Sequence, residues 1–116
     1  MMKLDDIRKK VDFMAEAGKL EAEHRSGTDK LLETCDFNVD VRVENGTYTP
    51  REHICSADEF TYVLYGEVNM KVGDEITTLT AGQGFWVKAG VRHKTMAKPG
   101  ASWLLVSKTH KHHYFE

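Results

Sequence analysis

The chain has 116 residues, a formal net charge of −2 and 2 cysteines. A chain of this length forms one domain that buries about two-thirds of its unfolded surface, so its hydrophobic core is stable without disulfide or metal cross-links. The weak net charge argues against a nucleic-acid-binding surface, and no apolar run is long enough to cross a bilayer. Without a basic-then-apolar leader, the sequence predicts a cytoplasmic protein whose two cysteines are free thiols.

The charge is distributed unevenly along the chain. Residues 31–87 carry 3 Lys/Arg and 10 Asp/Glu, whereas residues 88–116 carry 6 and 1. Two explanations stay open: the folded strands mix both signs on one surface, or the basic end forms a patch for an anionic ligand. Arg51 and Lys88 are candidates to meet such a ligand, and solvated surface is the simpler interpretation of each.

Residues 4–24 are predicted to form an amphipathic helix. Apolar residues recur at spacings of three and four from Leu4 to Leu20, with charged residues largely on the other side. Because the apolar stripe is narrow, we expect the helix to dock on the barrel or on a second subunit. Ser26-Gly27-Thr28 is expected to form the turn that follows it.

The remaining pattern predicts an all-β domain. Apolar and polar residues alternate from Cys35 to Val43, which indicates a half-buried antiparallel strand. Further strands are predicted at residues 47–54, 59–65, 68–72, 76–79, 85–87 and 102–107, and the strand at 85–87 is expected to be buried. Turn signals at Asn45-Gly46, Gly73-Asp74 and Pro99-Gly100 separate several of them. Short strands at this spacing predict a β-sandwich or barrel.

The C-terminal segment, residues 109–116, contains three histidines, His110, His112 and His113. We expect a flexible, solvated end, or one packed on a neighbouring subunit, because ordering a loose segment around a metal costs conformational entropy. The predicted organisation is therefore a helical extension at 1–30, a β-barrel domain at 31–108 and a His-rich tail at 109–116. Exposed edge strands and the apolar stripe of the helix also predict a homodimer.

A histidine, a thiol and a carboxylate lie within seven residues, at His53, Cys55 and Glu59. On an extended strand His53 and Cys55 project from the same face, and Glu59 follows a short polar break that would fold it back beside them. His93 follows a glycine-rich turn further along the chain. Converging N, O and S donors of this kind can hold a divalent transition metal.

These two stretches resemble the two sequence motifs of the cupin superfamily. The first is matched by Gly46, His53-x-Cys55, Glu59 and Gly66, and the second by Gly82, Lys88-x-Gly90 and His93. The chain is most similar to small single-domain cupins of the mannose-6-phosphate-isomerase-like (cupin 2) type. It departs from the pattern at Cys55, where a histidine is usual, at Lys88, which replaces a proline, and at Ala97, where asparagine is frequent. The resemblance implies a double-stranded β-helix, also called a jelly-roll barrel.

A metal site is the main functional expectation. His53, Glu59 and His93 make a 2-His-1-carboxylate set with open coordination positions, which suits Fe(II) oxygen chemistry or Lewis-acid isomerisation; Fe, Zn, Mn and Ni all remain possible. If Cys55 also binds, its thiolate favours zinc. The alternative is a barrel without metal, in which the histidines hydrogen-bond a ligand and Cys55 is a small buried hydrophobe.

Two classes of function follow from this site. The first is an isomerase-type or dioxygenase-type enzyme that acts on a small oxygen-rich metabolite, with Glu59 as its catalytic carboxylate. The second is a non-catalytic cupin that binds a sugar-like or acidic ligand. Candidate pocket walls, each with plain core as the alternative, are Thr61, Tyr65, Trp86 and Trp103. The expected partner is a small molecule, with neither nucleic acid nor membrane.

Overall fold

The computed structural model describes residues 10–22, 27–44, 46, 50–109 and 113–115. Within them lie one helix, α1 (Phe13–Ala22), and ten strands: β1 (Gly27–Glu33), β2 (Phe37–Val43), β3 (His53–Cys55), β4 (Glu59–Tyr65), β5 (Glu67–Val72), β6 (Glu75–Thr80), β7 (Gly84–Val87), β8 (Lys94–Ala97), β9 (Ser102–Lys108) and β10 (His113–Phe115). No helix in this part of the chain has the length and apolar character needed to cross a membrane.

The strands form antiparallel sheets with many non-sequential neighbours. One sheet has five strands in the order β1-β2-β9-β4-β7, a second has three in the order β6-β5-β8, and β10 pairs with β3. Reciprocal backbone hydrogen bonds of 2.9 and 3.0 Å between His53 and His93 connect β3 to the start of β8. This architecture confirms the predicted all-β jelly-roll barrel with an N-terminal helix.

Helix α1 packs on the outer face of the five-stranded sheet. It starts after Asp12, whose Oδ1 accepts a hydrogen bond from the backbone N–H of Ala15 at 3.0 Å, the usual role of an N-cap. The buried residues of this cluster are Ala17 and Leu20 from the helix, Leu31 from β1, Val39, Val41 and Val43 from β2, and Leu104 from β9. The helix therefore docks on the barrel of its own chain, one of the two partners predicted for it.

The N-terminal boundaries differ from the sequence predictions. Residues 10–12 are not helical, so the helix does not extend continuously from residue 4 to 24, and residues 1–9 lie outside the described residues. Gly27 and Thr28 do not form a turn; they begin β1 by pairing with Val43 and Arg42. Strand β1 thus crosses the predicted boundary between residues 30 and 31, and the division of the chain into extension, barrel and tail stays a prediction.

Strand β2 starts two residues later than its alternating pattern indicates. Thr34 closes a turn between β1 and β2, because its Oγ1 accepts hydrogen bonds from the backbone N–H groups of Asp36 at 3.1 Å and Phe37 at 2.9 Å. Strand β4 has the bounds predicted for it, and β9 is one residue longer than predicted. Strand β8, which follows His93, was not predicted as a strand.

The space between the sheets is apolar at one end and polar at the other. A buried apolar cluster contains Val63, Val68, Met70, Leu79, Val87, Ala101 and Trp103. The corner that joins β4 to β5 requires Gly66, which has a φ of 75° and whose added Cβ would lie 2.9 Å from Ala101 Cα. Because the odd-numbered valines of β2 pack under α1, Asn38, Asp40 and Arg42 face the barrel interior. The candidate site lies on this polar side.

Candidate metal centre

Three side chains converge from different elements of the barrel. His53 lies on β3, Glu59 begins β4, and His93 immediately precedes β8. Glu59 Oε1 is 3.1 Å from His93 Nε2 and 3.4 Å from His53 Nε2, and the two imidazole centroids are 4.2 Å apart. Glu59 and His93 are buried, and His53 is half-buried. One carboxylate oxygen therefore faces both imidazole rings inside the barrel.

The second nitrogen of each imidazole contacts the backbone. His53 Nδ1 is 3.3 Å from the carbonyl oxygen of Arg51, and His93 Nδ1 is 3.0 Å from that of Val91. Because a carbonyl oxygen only accepts hydrogen bonds, we assign the hydrogen of each neutral ring to Nδ1. In that tautomer each Nε2 carries its lone pair on the side of Glu59, which is how outer hydrogen bonds orient histidine ligands of metals.

The electrostatics of the site favour a proton on His93 when no metal competes. Burial disfavours the charged imidazolium, but the hydrogen bond to Glu59 Oε1 and that to the Val91 carbonyl outweigh it, so the pKa of His93 lies above its usual value of 6.5. The negative charge of Glu59 acts in the same direction. Below the pKa of His93, metal binding at Nε2 must displace a proton that the carboxylate helps to hold.

The donor atoms fit a divalent transition metal. His53, Glu59 and His93 each offer one ligand atom, and these atoms lie within 4.8 Å of one another. Bond lengths of about 2.0–2.1 Å place neighbouring ligand atoms about 3.0–3.4 Å apart in octahedral or tetrahedral coordination. The two Nε2-to-Oε1 distances of 3.1 and 3.4 Å fall in this range. Two imidazoles and a carboxylate suit zinc, iron, manganese or nickel.

The three side chains line a cavity of about 100 Å³. Its apolar walls are Met70, Val87, Trp103 and Leu105, and its other polar lining residues are Arg42, Thr61 and Thr95. One water-sized sphere occupies about 10–15 Å³ on this measure, so the cavity has room for a ligand of a few non-hydrogen atoms. The predicted wall residues Thr61 and Trp103 are both part of it.

Comparisons with known proteins agree with this architecture. Residues 39–107 match the family model described as the cupin domain. The chain belongs to the cupin family. It matches no protein that has a curated description.

Several solved structures have the same fold as this cupin. A cupin-2 domain protein from Shewanella frigidimarina is 23% identical, with a TM-score of 0.69 over 85% of this chain and 94% of that one. Salicylate 1,2-dioxygenase from Pseudoaminobacter salicylatoxidans is 14% identical, with a TM-score of 0.67 over 90% of this chain and 34% of that one. The polyketide cyclase RemF from Streptomyces resistomycificus is 18% identical, with a TM-score of 0.62 over 74% and 66%. At these identities the likeness shows the fold alone.

Cys55 lies near the three-residue group without joining it. It is buried on β3, two residues after His53, and its backbone oxygen accepts a hydrogen bond from Gly90 N–H at 2.9 Å. Its Sγ is not among the converging donor atoms, and its side chain does not line the cavity. Both cysteines are free thiols, as predicted. The role of Cys55 as a further ligand stays a prediction.

Two predicted wall residues lie elsewhere in this cupin. Tyr65 and Trp86 are 44% and 58% exposed, and neither lines the cavity. The expectation that the strand carrying Trp86 is buried was wrong for this side chain, because Trp86 pairs with Phe60 on the outer face of the sheet. Its indole N–H donates to Asp58 Oδ2 at 3.0 Å. Asp58 also accepts a hydrogen bond from Ala89 N–H, and these two bonds, the backbone one first, lower its pKa.

Arg42 is the charged cavity residue that sequence reasoning missed, and the lining residues Met70, Val87, Thr95 and Leu105 were not predicted as walls either. Arg51 and Lys88, the predicted anion-binding candidates, are exposed and do not line the cavity. The alternation of β2 carried the necessary signal, because it separates Val41 and Val43 from Arg42. A half-buried β2 would have its polar side chains in solvent. In the structure α1 covers the apolar face of β2, and the polar face is directed to the barrel interior.

Part of the His-rich tail is an ordered neighbour of the site. The backbone of His113–Phe115 pairs with His53–Cys55 as strand β10. The expectation of a flexible, solvated end was therefore wrong for these three residues, and residues 110–112 and 116 lie outside the described residues. Strand β10 gives β3 a hydrogen-bonded neighbour, and β3 carries His53.

Proposed function

We propose that this cupin holds one divalent transition metal ion through His53, Glu59 and His93 and uses it to bind and convert a small oxygen-rich metabolite. The observation that carries the proposal is the orientation of the two imidazoles. Each turns Nε2 towards the same carboxylate oxygen while Nδ1 is engaged by a backbone carbonyl. Proteins of the same fold include a dioxygenase and a polyketide cyclase, so this fold can carry enzymatic sites.

A metal bound by these residues would supply Lewis acidity or, if it is iron, a redox partner for O₂. The chain itself supplies the surroundings. Thr61 and Thr95 line the cavity, where their hydroxyl groups would orient the oxygen atoms of a ligand. Met70, Val87 and Leu105 exclude water from its walls, which strengthens electrostatic interactions inside. In this proposal Glu59 is a ligand, and its catalytic role in moving a proton stays a prediction.

The second candidate is a cupin that binds its ligand without metal. One observation favours it: the contact of 3.1 Å between His93 Nε2 and Glu59 Oε1 satisfies two buried polar groups by themselves. In that case the histidines and the carboxylate would be hydrogen-bonding groups for a neutral or acidic ligand.

Metal analysis separates the two candidates. The wild type, His93→Ala and a tail variant with His110, His112 and His113 changed to alanine are purified without added metal, loaded with zinc, and measured by inductively coupled plasma mass spectrometry. We expect about one zinc per chain in the wild type and the tail variant, and almost none in His93→Ala, because three donors are needed to hold the ion. Equal content in the wild type and His93→Ala would exclude this site. A wild type that stays empty after loading with Fe, Zn, Mn and Ni in turn would favour the second candidate.

A further inference from the structure

Arg42 brings a cation into the cavity that contains the candidate metal centre. It pairs with Trp103 across β2 and β9, and both side chains line the cavity together with Glu59 and His93. Its neighbours Val41 and Val43 are fully or almost fully buried under α1, which fixes the face of β2 on which Arg42 lies. Charged side chains seldom occupy such positions without a partner, because losing water costs free energy.

The guanidinium of Arg42 lacks a hydrogen-bond partner at its Nε within the described residues. Its Nε is buried and makes no hydrogen bond, and no carboxylate in the described part of the chain forms an ion pair with it. Asp40 lies two residues away on the same face, and its Oδ1 is likewise buried without a hydrogen bond, so these two atoms do not pair with each other. An anionic ligand would supply the acceptor that Nε lacks.

We propose that Arg42 binds the carboxylate of the ligand, so that the substrate class of this cupin is a small carboxylic acid with a second oxygen directed at His53, Glu59 and His93. A 2-hydroxy or 2-oxo acid has this arrangement of oxygens. Arginine suits the task because its planar group presents parallel N–H donors to the two oxygens of a carboxylate. The contact of the second oxygen with the metal centre rests on the proposed function. The contact of the carboxylate with Arg42 does not.

The size of the cavity and the arginine in its lining favour this class over the alternatives. A volume of about 100 Å³ corresponds to fewer than about ten water-sized spheres, which is small for a sugar phosphate. Arg42 is the one arginine or lysine among its lining residues, and its planar guanidinium matches the two oxygens of a carboxylate. A neutral sugar-like ligand would offer the buried Nε of Arg42 no charged acceptor.

The two tryptophans allow a site-resolved test by NMR. Trp103 lines the cavity, whereas Trp86 is on the outer face, so their ¹⁵N-labelled indole signals report the cavity and the surface separately. Glycolate is titrated against its neutral analogue glycolamide in zinc-loaded and in chelator-treated protein. The variants are Arg42→Met, which keeps an apolar stem, and Arg51→Met, the same change at an exposed arginine. Zinc content is measured on each sample.

We expect glycolate to shift the Trp103 signal and to leave Trp86 unchanged. Arg42→Met should weaken glycolate binding at least about tenfold, as loss of a charge-assisted hydrogen bond does, and Arg51→Met should stay within about twofold of the wild type. Glycolamide should bind the wild type at least about tenfold more weakly than glycolate.

The inference is overturned if the wild type does not bind glycolate, if Arg42→Met binds it within about twofold of the wild type, or if glycolate and glycolamide bind equally. Failure of the proposed function has a different signature. Protein that takes up no zinc while glycolate binding still depends on Arg42 would remove the metal and keep the carboxylate site. Protein that takes up zinc through His93, but whose glycolate binding does not depend on Arg42, would keep the metal and remove the carboxylate site.

Discussion

Replacing Glu59 with glutamine should remove most of the stabilisation that zinc gives this cupin. The substitution keeps the shape of the side chain and removes the charge that lies 3.1 Å and 3.4 Å from the two imidazole nitrogens. At an effective dielectric constant of about 20, unit charges about 4 Å apart attract by about 4 kcal/mol, and desolvation of the carboxylate offsets part of this. We therefore expect zinc binding to weaken about 100-fold, or about 2.7 kcal/mol.

Thermal unfolding converts this difference into a measurable shift. Zinc at about 1,000 times the wild-type Kd stabilises the wild-type fold by about 4.1 kcal/mol. The same zinc concentration is only about 10 times the Kd of Glu59→Gln, so it stabilises that variant by about 1.4 kcal/mol. For a domain of this size about 1 kcal/mol corresponds to about 4 °C, so the expected zinc-induced rises in Tm are about 16 °C and about 6 °C.

Differential scanning calorimetry with and without zinc measures both rises, each against the metal-free form of the same protein. Glu75→Gln is the matched control, because Glu75 is exposed on β6 and its loss should leave the wild-type rise unchanged. A rise of the wild-type size in Glu59→Gln would refute the reasoning, since the carboxylate would then not contact the ion.

Three further predictions concern the rest of the chain. Cys55→Ser should retain most of its zinc by mass spectrometry, because Sγ is outside the converging group; a loss as complete as that in His53→Ala would make the thiolate a ligand. In metal-free protein, NMR should show that His93 titrates above pH 6.5. The imidazolium of His93 then stabilises the fold fully below pH 6.5, and this stabilisation is lost as the pH rises through the raised pKa. Zinc should abolish that titration, and a midpoint below 6.5 would mean that burial outweighs Glu59. We also propose a homodimer that covers the exposed Phe60, Tyr62 and Trp86; light scattering that finds only a 13.2 kDa species would contradict it.

Most of the strands, and the grouping of His53, Glu59 and His93, could be predicted from sequence because each depends on local pattern, whereas β1, β8 and β10 were not predicted. Alternation defined β2 and β4, glycine turns separated the later strands, and motif spacing identified His53, Glu59 and His93. Alternation, glycine turns and motif spacing involve residues that are adjacent or at fixed spacings in the chain, and the folded structure keeps the elements that they indicate.

What the sequence did not predict depends on which surfaces cover each other. Arg42 was missed because β2 is covered on both faces, by α1 and by the barrel, and alternation alone does not say which face is interior. Trp86 was expected inside, yet it is exposed beside Phe60 on the outer face of the sheet. The pairing of β10 with β3 joins residues far apart in sequence, and no local pattern encodes that contact.

Anomalous X-ray diffraction at the zinc edge from crystals of zinc-loaded protein tests the central claim most directly. The account predicts one anomalous peak per chain, about 2.0–2.1 Å from Nε2 of His53, Nε2 of His93 and a carboxylate oxygen of Glu59. A zinc-loaded crystal whose peak lies at other residues, or about 2.3 Å from Cys55 Sγ with His93 unbound, would contradict it.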